Sequence, residues 1–447
     1  MIIKELLDSI HDHDDVRFFE ALYGSGAEEQ ERQRYAGLIE GMSLQSGFPP
    51  EFSVAGENAR VFSAPGRAEL GGNHTDHNRG RVLAAAIHLD AVAVVVPRSD
   101  RQVFFRSAGF PDVLVNLDAT DGKDGLSPRL EERGTTEALV RGIAAEFARR
   151  GVQPGGFSAN GSSTVLPGSG LSSSAAVEIL LAKIFDSLYG GGQCSALELA
   201  RISQKAENDY FGKPSGLMDQ AASASGGVVA IDFADPASPQ VTHIEFDPLA
   251  AGFALCVVNT RGSHADLTPD YAAIPQEMNA VARFFGKSFL REIDLSQLLA
   301  HTGELRQTAG DRALLRAIHF CNENQRAISM AELLQQPDST ERMGRFLELV
   351  NESGDSSWEL LQNLYSPREP RQQGLPLALA VSREFFREQG ISATAACRVH
   401  GGGFAGTIQA YIPVDALDGY RKRMEALFGL GAVTALRIRP VGAVEFK

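Results

Sequence analysis

The stretch Val165–Ala176, VLPGSGLSSSAA, constrains the fold of this chain more than any other. Strand-forming residues run into Pro-Gly-Ser-Gly, and three serines then open SSSAAVEILLAKIFDSLYGGG. Its Val177, Leu181, Ile184 and Leu188 recur at helical spacing up to a stop at Gly190. A strand, a glycine turn and a helix in direct succession leave backbone N–H groups aimed at one spot, where the helix N-terminus adds partial positive charge. Phosphate suits such a place; a loop that merely caps its helix is the alternative. No G-x-x-x-x-G-K-[ST] occurs, and a serine stands where a dinucleotide fingerprint needs its third glycine.

Around this turn the patterns are mixed. Residues 1 to about 50 read as helical up to Pro49-Pro50, and ARVFSAP, AVAVVVP, QVFFRSA and VLVNL read as strands. TTEALVRGIAAEFARRG reads as a helix, and Ser195 with Glu198 forms a capping box opening ALELARISQKAENDYFG. The turn Lys213–Gly216 leads into LMDQAASASGG. GGVVAIDF and FALCVVNT read as strands, 275–390 as mostly helical, and the C-terminal end as strands around DGYRKRMEALFG. An α+β chain in two lobes follows.

Composition narrows the function. The formal charge of −14 with no long basic block disfavours nucleic acid and anionic membranes, and no apolar run approaches a membrane span. The N-terminus lacks the basic, apolar and small-residue order of a signal peptide. Four scattered cysteines without a C-x-x-C fit a reducing cytoplasm and read as small buried hydrophobes.

Two further glycine-rich stretches flank the first. Gly66–Gly80, GRAELGGNHTDHNRG, crowds Arg67, Glu69, Asn73, His74, Asp76 and His77 together, and Arg398–Ile408, RVHGGGFAGTI, sets three glycines between apolar strands. Such a triple glycine implies a close backbone approach to a ligand or another loop, or a plain turn. Glu207 and Asp219 are carboxylates of the kind that hold Mg²⁺ or face an accepting hydroxyl, although each alone reads as a solvated helix residue.

Taken in order, GRAELGGNHTDHNRG, PGSGLSSSAA and GGGFAG, with GLMDQ at 216–220, resemble the motifs of the GHMP kinases and within them the galactokinases. The matches spread from about residue 61 to 413. The resemblance implies an α+β, two-lobed GHMP kinase fold with ATP and sugar in the cleft and a ferredoxin-like C-terminal lobe. It implies a helical extension at 1–50, an ATP-binding unit at 51–260 and a C-terminal unit at 261–447. By resemblance, Asp219 is the catalytic carboxylate and Arg67 lies between it and the γ-phosphate. Gly168, Ser169, Gly170, Leu171, Ser172, Ser173 and Ser174 wrap the ATP phosphates, and Ser174 and Glu207 hold Mg²⁺. Asn73, His74, Asp76, Gly216 and Tyr271 contact the sugar, and Gly401, Gly402 and Gly403 pack against both loops. The H-x-D-H stretch is then a sugar clamp and not a metal site, with His77 packing against the loop.

The implied reaction is phosphorylation of galactose at its anomeric hydroxyl by ATP with Mg²⁺, in a cytoplasmic monomer or weak homo-oligomer. Where galactokinases have Glu, Asn and Tyr, this chain has Asn73, Glu69 and His77. HADLTPD precedes Tyr271 and Ala272-Ala273-Ile274 follows it, both unlike the family. A glutamate facing a C6 carboxylate would repel it and Asn73 would not, so a galacturonate kinase is the alternative, with a non-catalytic sugar sensor third. Residues 1–50 are expected to dock as a helix on the N-terminal lobe or to form an oligomer contact.

Overall fold

A computed structural model describes residues 3–11, 16–42, 48–49, 52, 58–119, 124–166, 168–213, 215–262 and 267–446. Pro50, Pro167, Pro214 and part of the HADLTPD stretch lie outside the described residues. Among the described residues, twelve strands form two sheets: β1 Arg60–Gly71, β2 Arg81–Pro97, β3 Gln102–Ser107, β4 Val113–Asn116, β5 Phe157–Ser163, β6 Val228–Asp232, β7 Gln240–Ile244, β8 Phe253–Asn259, β9 Ala396–Val399, β10 Thr407–Pro413, β11 Val433–Leu436 and β12 Val444–Phe446.

The first sheet runs β12-β1-β2-β5-β3-β4, with β6 on the first half of β2 and β7 beyond it. β2 is nearly all buried because both faces are covered, which explains a continuous AVAVVV run where a half-exposed strand would alternate. One face packs on helices Thr136–Arg149, Ser173–Tyr189 and Met218–Ser225. Helices Ile3–His11, Val16–Tyr23 and Glu28–Glu40 cover the other, with Phe19, Tyr35 and Ile39 fully buried in a core shared with Val92, Val94 and Phe104. The extension docks on this sheet.

The second sheet, β11-β8-β10-β9, is antiparallel throughout. With helices between β8 and β9 and Leu417–Phe428 between β10 and β11, it has the βαββαβ order of a ferredoxin-like unit. β8, expected to close the first unit at 260, pairs with β10 and β11, so the sheets part before Phe253. The chain then returns, and β12 pairs with β1. Among the cysteines, Cys256 and Cys397 are buried as expected, while Cys194 and Cys321 are only half-buried.

The Ser195 capping box forms as read: Glu198 N–H donates to Ser195 Oγ at 3.3 Å, and Ser195 N–H to Glu198 Oε2 at 2.9 Å. The helix it opens does not run on unbroken to Phe211. It ends at Lys205 and widens into a π-turn, Ala206–Phe211, which carries Glu207. π-turns of this sort often occur at functional sites.

Candidate active site

The site begins with two irregularities in β1. Its pairing with β2 shifts register between Pro65 and Arg67 and again between Glu69 and Gly71. Bulges re-aim the side chains that follow them. Arg67 leaves the sheet toward the glycine-rich turn at 168–172: its N–H donates to Leu171 O at 3.0 Å and its Nη1 to Gly170 O. Its Nε donates to Asp219 Oδ1 at 2.7 Å. Asp219 stands in the first turn of helix Met218–Ser225, and its other oxygen accepts from Ser172 Oγ. Burial alone would raise this carboxyl. Arg67, Ser172 and Lys213 hold it below the usual carboxylate range, so Asp219 is ionised near neutrality.

The loop itself is tightly wound. Gly168, Gly170 and Ser172 all have positive φ, with Ser172 at 58° immediately before helix Ser173–Tyr189. A left-handed serine is unusual, and here its hydroxyl turns to Asp219 instead of capping the helix. Ser169 Oγ donates to Leu166 O at 2.6 Å. Ser173 and Ser174 open the helix with hydroxyls that meet no partner among the described residues.

Behind the loop, Glu207 is buried and accepts from Lys213 Nζ at 2.7 Å, Gln220 Nε2 at 2.9 Å and Ser215 Oγ. Gln220 also donates to Glu178 at 2.9 Å, and Glu178 Oε1 has no partner among the described residues. Burial and then the Glu207 charge push the Glu178 carboxyl up to about 8. Gln220 joins Glu207 to Glu178, and Ser174 stands one helical turn before Glu178; oxygen groups of this kind suit a hard divalent cation such as Mg²⁺. Glu178 and Gln220 escaped the sequence reading, though Glu178 lies four residues after Ser174, on the same helical face.

Gly66–Gly80 is the second wall. His74, at φ 58°, meets Gly402 O through Nε2 at 2.9 Å, and burial followed by the His77 charge lowers its ring to about 3, so it is neutral. Asp76 accepts from His77 N–H at 2.9 Å. A Cβ at Gly216 would collide with Asp76 Oδ2, which is why glycine sits there. Tyr271 donates to Gly403 O at 2.8 Å, and a Cβ on Gly402 would fall 2.6 Å from its ring. Among the described residues no three His, Cys, Asp or Glu side chains gather as a metal-binding group. Gly401, at φ 68°, approaches Gly170 within van der Waals contact of a would-be Cβ, so the third glycine stretch touches both other loops.

Asn73 is bonded to three parts of the protein. Its side chain is fully buried and its hydrogen-bonding groups are spent on protein. Nδ2 donates to Gly401 O at 2.8 Å and Glu69 Oε1 at 3.0 Å, while Oδ1 accepts from Asn363 Nδ2 at 3.0 Å. Ser357 Oγ also donates to that oxygen at 3.4 Å, so the amide's neighbours are all protein groups. Glu69 likewise pairs with the buried Arg398. Two other residues tie this wall in place unnoticed. Glu323 accepts from Gly72 N–H at 3.0 Å and Asn73 N–H at 3.3 Å, and His319 Nε2 meets Asn73 O at 3.0 Å. Both come from helix Asp311–Leu334, far from any motif.

The family GHMP kinases N terminal domain matches residues 138–227, and the Galactokinase galactose-binding signature matches 47–97. A galactokinase of Streptomyces coelicolor is 31% identical over 85% of this chain and 91% of its own length. One from Actinobacillus pleuropneumoniae is 29% identical over 81% and 88%. Among solved structures, Lactococcus lactis galactokinase complexed with galactose superposes with a TM-score of 0.71 at 23% identity, covering 90% of this chain and all of that one. The Methanococcus jannaschii mevalonate kinase reaches 0.58 at 14% identity, covering 85% and 98%.

Proposed function

The chain belongs to the galactokinase family, and from that premise we propose that it moves the γ-phosphoryl of ATP onto the anomeric hydroxyl of galactose. The single observation carrying this reading is the Arg67–Asp219 contact at 2.7 Å beside the phosphate loop. An ionised carboxylate there orients the sugar's C1 hydroxyl and accepts its proton as the oxygen forms a bond to the γ-phosphorus. The bond from that phosphorus to the β–γ bridging oxygen breaks, and ADP leaves with the electron pair. Arg67 faces the charge that develops on the transferring group and keeps Asp219 ionised before transfer.

The backbone of Gly168–Ser172 and the N-terminus at Ser173 cradle the phosphates. Ser174 and Glu207, with Glu178 behind them, would hold Mg²⁺, whose bound charge offsets that of the phosphates. His74, Asp76, Gly216 and Tyr271 form the sugar wall: a neutral imidazole, a carboxylate and a phenol can each serve a hydroxyl group. Among the described residues no helix is long and apolar enough to cross a membrane, and we place the enzyme in the cytoplasm as a monomer or weak homo-oligomer.

The test is one initial-rate panel with ATP and galactose, galacturonate, glucuronate, N-acetylgalactosamine or glucose, with Mg²⁺ and with a chelator. Galactose is expected to give the highest kcat/KM, and the chelator to abolish turnover. Galacturonate outpacing galactose would overturn the substrate assignment, and full activity in chelator would overturn the metal.

A further inference from the structure

Beside the sugar wall lies a second cavity of about 260 Å³ that shares no residue with the site described above. Arg312, Arg316, Asp270, Trp358, Tyr365 and Phe404 line it. Trp358 and Tyr365 are 38% and 37% exposed, an unusual state for two large aromatics facing one hollow. Arg316 is almost wholly buried. Its Nε donates to Leu361 O at 3.1 Å and its Nη1 to Glu277 at 2.9 Å, and Arg312 spends Nε and Nη2 on the same carboxylate. Among the described residues no acceptor meets Arg316 Nη2 or Arg312 Nη1. Arg368 pairs with Asp270 at 2.6 Å, which leaves three guanidiniums against two carboxylates.

We propose that this cavity binds a phosphorylated monosaccharide. Unspent guanidinium N–H groups in a partly desolvated, net positive hollow suit a phosphate. The exposed faces of Trp358 and Tyr365 suit the C–H side of a sugar ring, large rigid apolar area with polar groups alongside. At about 260 Å³ the cavity lies just below the roughly 300–1,000 Å³ of drug-sized ligand pockets, which suits a small ligand such as a hexose phosphate.

The cavity is wired to the sugar wall by chain adjacency. Asp270, Phe404 and Gln362 line the cavity, and their neighbours Tyr271, Gly403 and Asn363 touch the wall. Gln362 and Phe404 both have φ of 59°, as do few non-glycine residues here, and such strain tends to collect at functional sites. An occupant pressing on these positions would move the Gly401–Gly403 loop and alter the KM for sugar.

Trp358 is the one tryptophan of the chain, so its fluorescence reports on this cavity directly. The full chain, its cleft filled with galactose and a non-hydrolysable ATP analogue, is titrated with galactose 1-phosphate, glucose 1-phosphate, orthophosphate and glucose. A saturable change is expected with both sugar phosphates, at least about tenfold weaker with orthophosphate, which lacks the ring contact, or with glucose, which lacks the charge-assisted bonds. Arg312→Gln should weaken sugar phosphate by about tenfold and leave basal turnover unchanged, and Tyr365→Ala should weaken it without altering the fold. No signal with the cleft filled, glucose binding as well as glucose 1-phosphate, or an unaltered affinity in Arg312→Gln would each overturn the proposal. Because this binding is read without turnover, its failure leaves the kinase reading standing, and failure of the sugar panel leaves this cavity untouched.

Discussion

Asp219 carries two opposing influences, and the outcome sets the pH behaviour. Burial disfavours its charge, and Arg67 more than offsets that. A carboxyl held below about 3.9 stays ionised down through mildly acidic pH, so Asp219 gives no acid limb in kcat/KM above about pH 5. Arg67→Gln removes the main lowering influence, and its acid limb should move upward; a profile unmoved in that variant would detach Arg67 from the carboxyl. Asp219→Asn should cost roughly two orders of magnitude or more in turnover while calorimetry still finds ATP and galactose binding. Near-normal turnover would remove it from the mechanism. Both residues were legible because they stand in contiguous motifs. Asn73 was legible in identity and not in environment: its neighbour Glu69 is bonded to Arg398, 329 residues away. Asn73→Glu would set a second carboxylate against Glu69 in a dry pocket and should cost roughly 3 kcal/mol of stability. The exchange Glu69→Asn with Asn73→Glu restores the charge count and should recover much of it. Equal melting temperatures for Asn73→Glu and the native chain would show that the pocket admits water.

At the scale of elements, what the sequence makes plain is whatever a local period encodes. The helix after the phosphate loop, its stop, and the Ser195 cap all follow from nearby residues. The first half of β2 does not: GRVLAAAIHLD is alanine-rich and does not alternate, and it becomes strand because β1 and β6 flank it. Helix Asp311–Leu334 shows the same limit. Its pattern announces a helix, yet nothing local says that Glu323 will reach two N–H groups of the sugar wall. Burial would raise the Glu323 carboxyl, and Arg326, His319, Arg398 and Ser353 bring it down to about 2. Its stabilising contribution is therefore complete above about pH 4.3 and fades as pH falls toward 2. Glu323→Gln keeps the shape and loses the charge. It should raise the KM for galactose several-fold and that for ATP less, because Gly72 and Asn73 stand in the Gly66–Gly80 wall and meet the phosphate loop only through Gly401. Parallel rises in both constants would mean that the helix supports the whole cleft.

At the scale of the whole molecule, the N-terminal helices and the C-terminal return meet at one buried carboxylate. Asp90 on β2 accepts from Tyr23 at 2.6 Å, from Arg34 at 2.6 Å and from Arg439 at 3.1 Å, with Ser63 also donating. Residues 23, 34, 63, 90 and 439 thus converge from both ends of the chain, a junction no window of sequence reveals. Burial opposes the Asp90 charge, and Arg34 first and Arg439 next hold its carboxyl below the ordinary range. The junction therefore stabilises the fold above about pH 4 and is lost as pH falls through the native carboxyl's lower value. Arg34→Ala leaves that buried charge with one guanidinium and should cost roughly 3 kcal/mol, a fall of several degrees in melting temperature. It should also shift acid unfolding to higher pH, since the Asp90 carboxyl then rises toward its ordinary value. Turnover at 25 °C should hold, because none of these groups reaches the Arg67–Asp219 pair. Calorimetry on the intact chain decides whether the helices are part of the same cooperative unit: Phe19, Tyr35 and Ile39 share their core with Val92 and Val94, so one transition is expected for helices and first sheet together. A separate low-temperature transition lost in Arg34→Ala would instead make residues 3–42 an appendage that melts alone.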